Sequence, residues 1–534
     1  MSVLTPYRSE MSSHGDGFAQ LLRAEWTKFR SVRGWVIGTV VGGLLIVGLG
    51  VLTSSNSVCS MAAASPHSPN PKPQACPAPA TGPGGEWVSD SYYFVRQQLA
   101  GTGSLTARVT SLTGLYSNRG GIGNGRNPLA GMTPGVQPWS KAGIIIRAST
   151  TRGSAYAAMM VTGSHGVRMQ WNFTHDRAGI AGKVSAKTPR WLRLARTGEV
   201  IRGYDSADGR HWTLVGTATL AGLRTNVQAG LFAASPGYTV TATSIGTASA
   251  VGGPTLATAA FDRLSLQGTW PAGRWFGQDI QGRTDNALPA SVQGFNEDAG
   301  RFKVSGSGDI APANSDAAGQ ASRTLGGAFA GLIAAVVIGV MFITAEYRRG
   351  MIRTTFTASP RRGRVLAAKA VVLAGVTFVA SLIAAAITIP LGDHLLRGNG
   401  NPIFPLPTLT LLRIAVGTAA LLAVAAVLAL AVGTLLRRSA AAVTAVIAGI
   451  VLPYLLAVIT GVLPVSAEEW LTRVTPAAAF AIQQGMPAYP QVEATYTPGT
   501  GYFPLAPWAG FAVLCAWAAA FLALAAIRLH RRDV

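Results

Sequence analysis

Six stretches of mostly apolar residues stand out along the chain: Trp35–Thr53, Leu325–Thr344, Ala367–Ile389, Leu409–Leu436, Ala440–Leu463 and Trp508–Ile527. A helix needs about 20 such residues to cross the hydrocarbon core, so each reads as a membrane span. Pro453 falls inside the fifth and predicts a kink there. The first run follows a polar leader, residues 1–34, and lacks the cleavage pattern of a signal peptide, so it reads as transmembrane helix 1, residues 35–53. Residues 325–534 then hold helices 2–6.

The intervening pattern is different. Residues 54–83 form a Pro-rich linker (Pro66, Pro69, Pro71, Pro73, Pro77, Pro79). From 84 to 310 the apolar positions alternate in short runs bounded by Gly, Asn and Asp, among them Leu105–Leu112, Gly143–Arg147, Tyr156–Thr162, Val167–Phe173, Trp191–Arg196 and Val200–Ser206. Period-two runs at this spacing predict an all-β sandwich, followed by a linker over 311–324. The fold class is therefore an α-helical membrane protein of six transmembrane helices with a β-sandwich inserted between helices 1 and 2.

Composition and charge sharpen this picture. Of 534 residues 49% are hydrophobic and 12% charged, against about 25% charged in an ordinary soluble domain. Net charge is +22. Outside the insertion, Lys and Arg cluster in the leader, in residues 345–369, at Arg437 and Arg438, and at the C-terminus, whereas the opposite short loops and helix starts carry Arg397, Arg413 and Arg473. This asymmetry predicts a plasma-membrane protein with cytoplasmic N- and C-termini and an extracytoplasmic sandwich. Three cysteines exclude a disulfide-dense scaffold, a zinc ribbon and an iron–sulfur protein. Cys59 and Cys76 flank the Pro-rich linker in a compartment where disulfides persist. They are expected to be bonded, the alternative being free thiols in a tether.

Phe18, Leu22, Trp26 and Phe29 recur at helical spacing among Arg23, Lys28 and Arg30. This reads as a basic amphipathic helix in the membrane interface, with a continuous extension of the first span as the alternative. The second span runs out in Thr344-Ala345-Glu346-Tyr347-Arg348-Arg349-Gly350-Met351-Ile352-Arg353, followed by Ala358-Ser359-Pro360-Arg361-Arg362. Glu346 is spaced to meet Arg349 and Arg353 on a helix, and Pro360 would end a short helix before the next span.

With that loop the sequence resembles the permease subunits of ABC-2-type transporters, and the leader Ala24-Glu25-Trp26-Thr27-Lys28-Phe29-Arg30-Ser31-Val32-Arg33 is similar to actinobacterial members. The resemblance implies that the cytoplasmic loop 345–366 docks on an ABC ATPase subunit, with Glu346, Tyr347, Arg348, Arg349, Gly350, Arg353, Pro360, Arg361 and Arg362 as the coupling residues. It also implies an exporter working as a homodimer or pseudo-dimer in the lipid bilayer. Glu468-Glu469-Trp470 would open a short outer or re-entrant helix, the alternative being an ordinary solvated loop. No Gly-x4-Gly-Lys-Ser/Thr occurs, so the chain is expected to be no enzyme, to carry no cofactor and to rely on ATP bound by the partner. The spans hold almost no ionisable residues, which counts against ion-coupled transport. No metal site, catalytic set or nucleic-acid partner is expected.

The hairpin run Trp191–Thr213, with Lys141–Arg147 and Ala260–Leu266, resembles concanavalin A-like, laminin G-like jelly rolls. Trp270–Ile280 and Gly300–Ile310 resemble the opening strands of that domain yet follow its closing strand, which implies a circular permutation. The resemblance raises Trp139, Trp171, Trp191, Trp212 and Tyr238 as candidate stacking faces for a cell-surface glycan, with core packing as the alternative. Asp205 and Asp208 read as turn residues rather than calcium ligands. The rival reading of the whole chain is a non-transporting receptor or cell-wall-binding protein that uses the sandwich.

Overall fold

A computed structural model describes residues 17–58, 76, 78–117, 129–244, 247–271, 273–280, 288–313, 324–348, 350–351, 361–459, 463–492 and 496–531. Among them are six helices long and apolar enough to span a membrane: Arg33–Asn56, Ala328–Arg348, Arg362–Gly398, Thr408–Leu436, Ser439–Val458 and Pro507–Arg531. The leader forms a helix of its own, Phe18–Ser31, separated from the first span by Val32 in an extended conformation (φ −91°, ψ 101°). It is thus not a continuation of that span. The fifth span runs on through Pro453. Beyond it, Val465–Val474 is a short helix of marked amphipathicity, with Trp470 exposed and Thr472 buried.

Burial sorts the spans. The fourth is the most enclosed, its Ala-rich face packed between the second, third and sixth. The third has 37 residues and is about 55 Å long at the rise of an α-helix, well over the thickness of a bilayer core. Small residues let the first span approach it closely: a Cβ on Gly50 would lie 2.4 Å from Thr388 Cγ2 and 2.6 Å from the Thr324 carbonyl oxygen.

The insertion is a large antiparallel β-sandwich. Its hub is the long strand Tyr92–Tyr116, which pairs along its length with Asn226–Ala234, Arg190–Thr197, Thr255–Thr269 and Phe276–Ile280. The strands Lys141–Arg147 and Tyr156–Thr162 are buried on both faces, as their unbroken runs Ile144-Ile145-Ile146 and Ala157-Ala158-Met159-Met160-Val161 require. One face packs on Val95, Leu105, Leu192 and Phe261, the other on Tyr92, Phe94, Phe173 and Phe232. The tail completes the domain: Phe276–Ile280 joins the hub strand, Arg301–Gly306 pairs with Thr255–Thr269, and Ile310–Pro312 pairs with Trp87–Asp90. Incoming and outgoing chains therefore meet, and the Ala313 amide donates to the Trp87 carbonyl at 2.8 Å.

Two buried ion pairs hold these ends, and one strand supplies both cations. Arg147 Nη2 donates to Asp90 Oδ2 at 2.9 Å on the incoming side. Lys141 Nζ donates to Asp309 Oδ1 at 2.6 Å and to the Ile310 carbonyl at 2.8 Å on the outgoing side. From there the sandwich is seated on the helices. Trp87 meets Phe404 edge to face at 5.1 Å, within a cluster of Phe404, Met486 and Tyr502. Gln491 Nε2 donates to the Thr174 carbonyl at 3.2 Å.

Asp279, on the strand Phe276–Ile280, carries a stability cost that pH reveals. Burial pushes its carboxyl up to about 6, and its Oδ1 has no hydrogen-bond partner among the described residues while Gln293 Nε2 donates to Oδ2 at 3.3 Å. A folded value above the unfolded one means that the protonated form favours the fold. That contribution is complete below about pH 4 and is lost as pH rises through about 6. Asp279→Asn keeps the acceptor for Gln293. It is expected to raise the melting temperature at pH 7.5 by about 2–4 °C, from about 1 kcal/mol after allowing for partial exposure, and to have no effect at pH 4. Equal shifts at both values would contradict the assignment.

Candidate coupling site on the face away from the sandwich

The ends of the helices opposite the sandwich converge on a buried charge cluster. Lys369, about two turns into the third span, lies between two carboxylates: its Nζ donates to Glu346 Oε1 at 2.6 Å and to Glu25 Oε2 at 2.7 Å. Lys28 closes the set from the rim, with Nζ 3.1 Å from Glu25 Oε1 and 3.4 Å from Glu346 Oε1. Two anions thus balance two cations. The Glu25, Glu346 and Lys369 side chains are 3%, 8% and 1% exposed, so each charge depends on the others for its compensation.

Sequence spacing explains how three elements deliver these groups. On the leader helix Leu22, Glu25 and Phe29 share one face, which turns toward the bundle, whereas Trp26 falls on another and is exposed. Phe29 packs edge to face on Phe342 at 5.7 Å, as does Trp35 at 5.9 Å. Lys369 Nζ lies 4.8 Å from the centre of the same ring. The aromatic set expected to enter lipid together is therefore split, with Phe29 in the protein core and Trp26 facing outward. Burial alone would lower the Lys28 ammonium, but the facing carboxylates of Glu25 and Glu346 outweigh it and raise its pKa. A lysine so shifted stays charged throughout the physiological range.

Arginines stitch the neighbouring helix ends. Arg362 Nη1 donates to the Leu529 carbonyl at 2.8 Å at the end of the sixth span, and Arg528 Nη1 to the Leu435 carbonyl at 3.0 Å at the end of the fourth. Each caps a terminal carbonyl that the helix leaves without a partner. The Arg437 guanidinium lies 5.1 Å over the Tyr347 ring. The second span gives way to a turn whose Gly350 has φ +67° and donates its amide to the Tyr347 carbonyl, a backbone position that suits glycine.

The coupling residues inferred from sequence thus fall into two groups. Glu346, Tyr347 and Arg362 turn inward and tie helices together, while Arg348, Gly350 and Arg361 are exposed. Arg349, Arg353 and Pro360 lie outside the described residues, as does Cys59. Among the described residues the partners of Glu346 are Lys28 and Lys369 rather than a neighbour in its own loop. Lys28 and Lys369 were legible only as positive charge near span ends, and Glu25 carried no signal beyond its place in the leader. Cys76 is disulfide-bonded, and Cys515 is a free thiol inside the sixth span.

In the sandwich, the five aromatic candidates do not present free rings. Trp139 is buried and stacked on His165 at 3.9 Å. Trp171 stacks on His175 at 4.9 Å, and Tyr238 packs on Tyr116 at 4.9 Å. Arg193 covers Trp212 at 3.9 Å, and Arg108 and Arg263 approach the Trp191 ring. Asp208 accepts the backbone amides of Arg210 and His211 at 2.8 and 2.9 Å, which hold its carboxyl well below the usual range. Asp205 accepts from the Ile180 amide at 2.6 Å. The Asp208 carboxylate serves its own loop and the Asp205 carboxylate ties its strand to Ile180, and no group of metal-binding side chains is found among the described residues.

Residues 291–534, which begin in the last strands of the sandwich and take in helices 2–6, match the family model described as ABC-2 family transporter protein. These residues belong to that family. The chain is accordingly a multi-pass membrane protein and a transporter membrane subunit, with the sandwich placed ahead of most of the ABC-2 region. No curated protein matches it. Among solved structures, a functionally unknown protein from Saccharomyces cerevisiae shares 16% identity over 41% of this chain and 99% of its own, with a TM-score of 0.21. A scytalido-glutamic peptidase with a peptide-based transition state analog shares 11% over 41% and 98%, with a TM-score of 0.23.

Proposed function

We propose that this chain is the membrane-spanning subunit of an ATP-driven ABC-2 exporter, powered by a separate ATPase subunit that docks on loop 345–366 and binds the ATP. The reading is supported above all by the family match over 291–534 together with the charge cluster that joins both helices flanking that loop to the leader helix. In this orientation the loop is cytoplasmic and the sandwich outside. A docking surface that must move helices needs exposed groups for the partner and a stiff connection behind them. Arg348 and Arg361 supply the first, and the Glu25–Lys369–Glu346 contacts supply the second.

Closure of the ATPases would then push on the loop and tilt the second and third spans together with the leader, because these cannot separate without exposing an unpaired charge. Two copies would frame the path. At the sandwich-side end of the second and fifth spans, Phe329, Tyr454 and Gln483 line a 210 Å³ cleft that suits contact with an apolar cargo on its way out. A glycan-binding receptor draws less support, since its candidate aromatics are covered by internal partners.

Affinity-tagged chain purified from native membranes should bring down an ATPase subunit in stoichiometric amount, read by mass spectrometry. Arg348→Glu combined with Arg361→Glu is expected to cut that capture by about tenfold, equivalent to about 1.4 kcal/mol, with the melting curve unchanged. Purification without any ATPase, or capture indifferent to the double reversal, would count against the docking assignment.

A further inference from the structure

On the sandwich side of the membrane part, the first turns of the fourth and sixth spans leave between them a groove of 440 Å³ lined by Leu409, Thr410, Leu412, Arg413, Val416 and Trp508. Its apolar walls are strongly exposed, Leu409 at 80%, Leu412 at 54% and Trp508 at 57%, and they face the direction in which a bilayer must lie. One cation interrupts them. Arg413 is the sixth residue of its helix, about 7.5 Å along the axis from the start, so it sits where acyl chains give way to headgroups. Its Nη2 is anchored on the Gln484 carbonyl, while its Nε is buried without a hydrogen-bond partner among the described residues.

With Nη2 on the Gln484 carbonyl and Nε closed off from solvent, the rest of the guanidinium that lines the groove is left to offer its positive charge and an N–H to a phosphate oxygen. No carboxylate lines the groove to neutralise it, and the positive end of the fourth-span dipole points the same way. We propose that this groove seats an acidic phospholipid, its phosphate on Arg413, one acyl chain along Leu409, Leu412 and Val416, and its glycerol region beside the Trp508 indole. Lipid is favoured over a soluble anion because the apolar walls continue from the cation into the membrane. An indole at that depth suits the interface.

The full-length chain is reconstituted in phosphatidylcholine vesicles doped with photoreactive phosphatidylglycerol or with photoreactive phosphatidylcholine, and labelled peptides are mapped. Peptides containing 409–416 and 508 are expected to take up about fivefold more of the acidic lipid. Arg413→Gln should bring the two lipids level, Arg413→Lys should restore part of the preference, and excess inorganic phosphate should leave the labelling unchanged. Equal labelling by both lipids in the wild-type chain overturns the proposal, as does labelling that ignores Arg413→Gln or that phosphate displaces. Absence of label, with the groove instead cross-linked to a second copy of the chain, also overturns it. If Arg413→Gln does not fold, the headgroup comparison on the wild-type chain decides alone.

Discussion

Replacing Lys369 with methionine is expected to destabilise the helical part of the chain by about 3 kcal/mol and to uncouple it from its ATPase. Methionine matches the lysine stem in volume, so packing against Phe342 is kept and the change is electrostatic. Without the ammonium, Glu25 and Glu346 face one another in a site where both are nearly closed to water. Lys28 remains, but at 3.1 and 3.4 Å and from a 42% exposed position, where an ion pair contributes little. One carboxylate must then take up a proton or the leader helix must lift away. The two responses differ in their signature. Protonation makes the loss shrink as pH falls from 8 to 5, whereas lifting of the helix exposes Phe29 and Trp35 to quenchers at every pH.

A companion variant separates structure from coupling. Removing the charges together, as Glu25→Leu, Glu346→Leu and Lys369→Leu, leaves no unpaired group, and such replacements are often neutral or stabilising. If the cluster serves to hold the leader rigidly on the loop helices, the triple variant keeps its melting temperature and regains ATPase stimulation. A triple variant that melts like the wild type but stays uncoupled would assign the charges themselves to the moving step. A Lys369→Met chain as stable and as well coupled as the wild type would remove the cluster from the mechanism.

How much of this was written in the sequence follows from the range of each signal. The spans and the sandwich are local patterns, apolar runs of membrane length and alternating short runs, and both are found where the pattern puts them. Tertiary packing governs what local pattern misses. Glu346 has suitably spaced arginines in its own loop, yet it pairs across 318 residues to Lys28 and across 23 to Lys369. Nothing in a lysine near a span end distinguishes a topology charge from a buried partner; the difference lies in which helix lies alongside. The aromatic candidates are ambiguous for a related reason: a tryptophan on a strand reads the same whether its ring meets solvent or a histidine such as His165 or His175. Lys141 and Arg147 were visible only as the ends of a strand, although cations at both ends of so apolar a run as Ala142–Ile146 need anions where the run is buried.

The second large effect is expected at Arg147, whose replacement by methionine should destabilise the sandwich by about 3–5 kcal/mol. The side chain is 1% exposed and makes bonds that no apolar group can replace. Nη2 donates to Asp90 Oδ2 at 2.9 Å and to the Thr151 carbonyl at 2.8 Å, and Nε donates to Ser154 Oγ at 3.1 Å. Nη1 donates to Asp90 Oδ1 at 3.3 Å and to the Tyr92 hydroxyl. In its absence the Asp90 carboxylate would keep, among the described residues, the Gly153 amide, which donates to Oδ2 at 2.7 Å, against a full buried charge. Asp90 ends the incoming strand that carries Trp87 onto Phe404, so the loss should spread from the domain to its seat on the helices. Combining Arg147→Met with Asp90→Asn removes the stranded charge and is expected to recover at least half of the loss. A double variant no more stable than Arg147→Met would mean that the loop 149–154, rather than the ion pair, carries the energy. An unchanged melt in either variant would mean that the outgoing pin, Lys141 with Asp309, holds the domain ends without help.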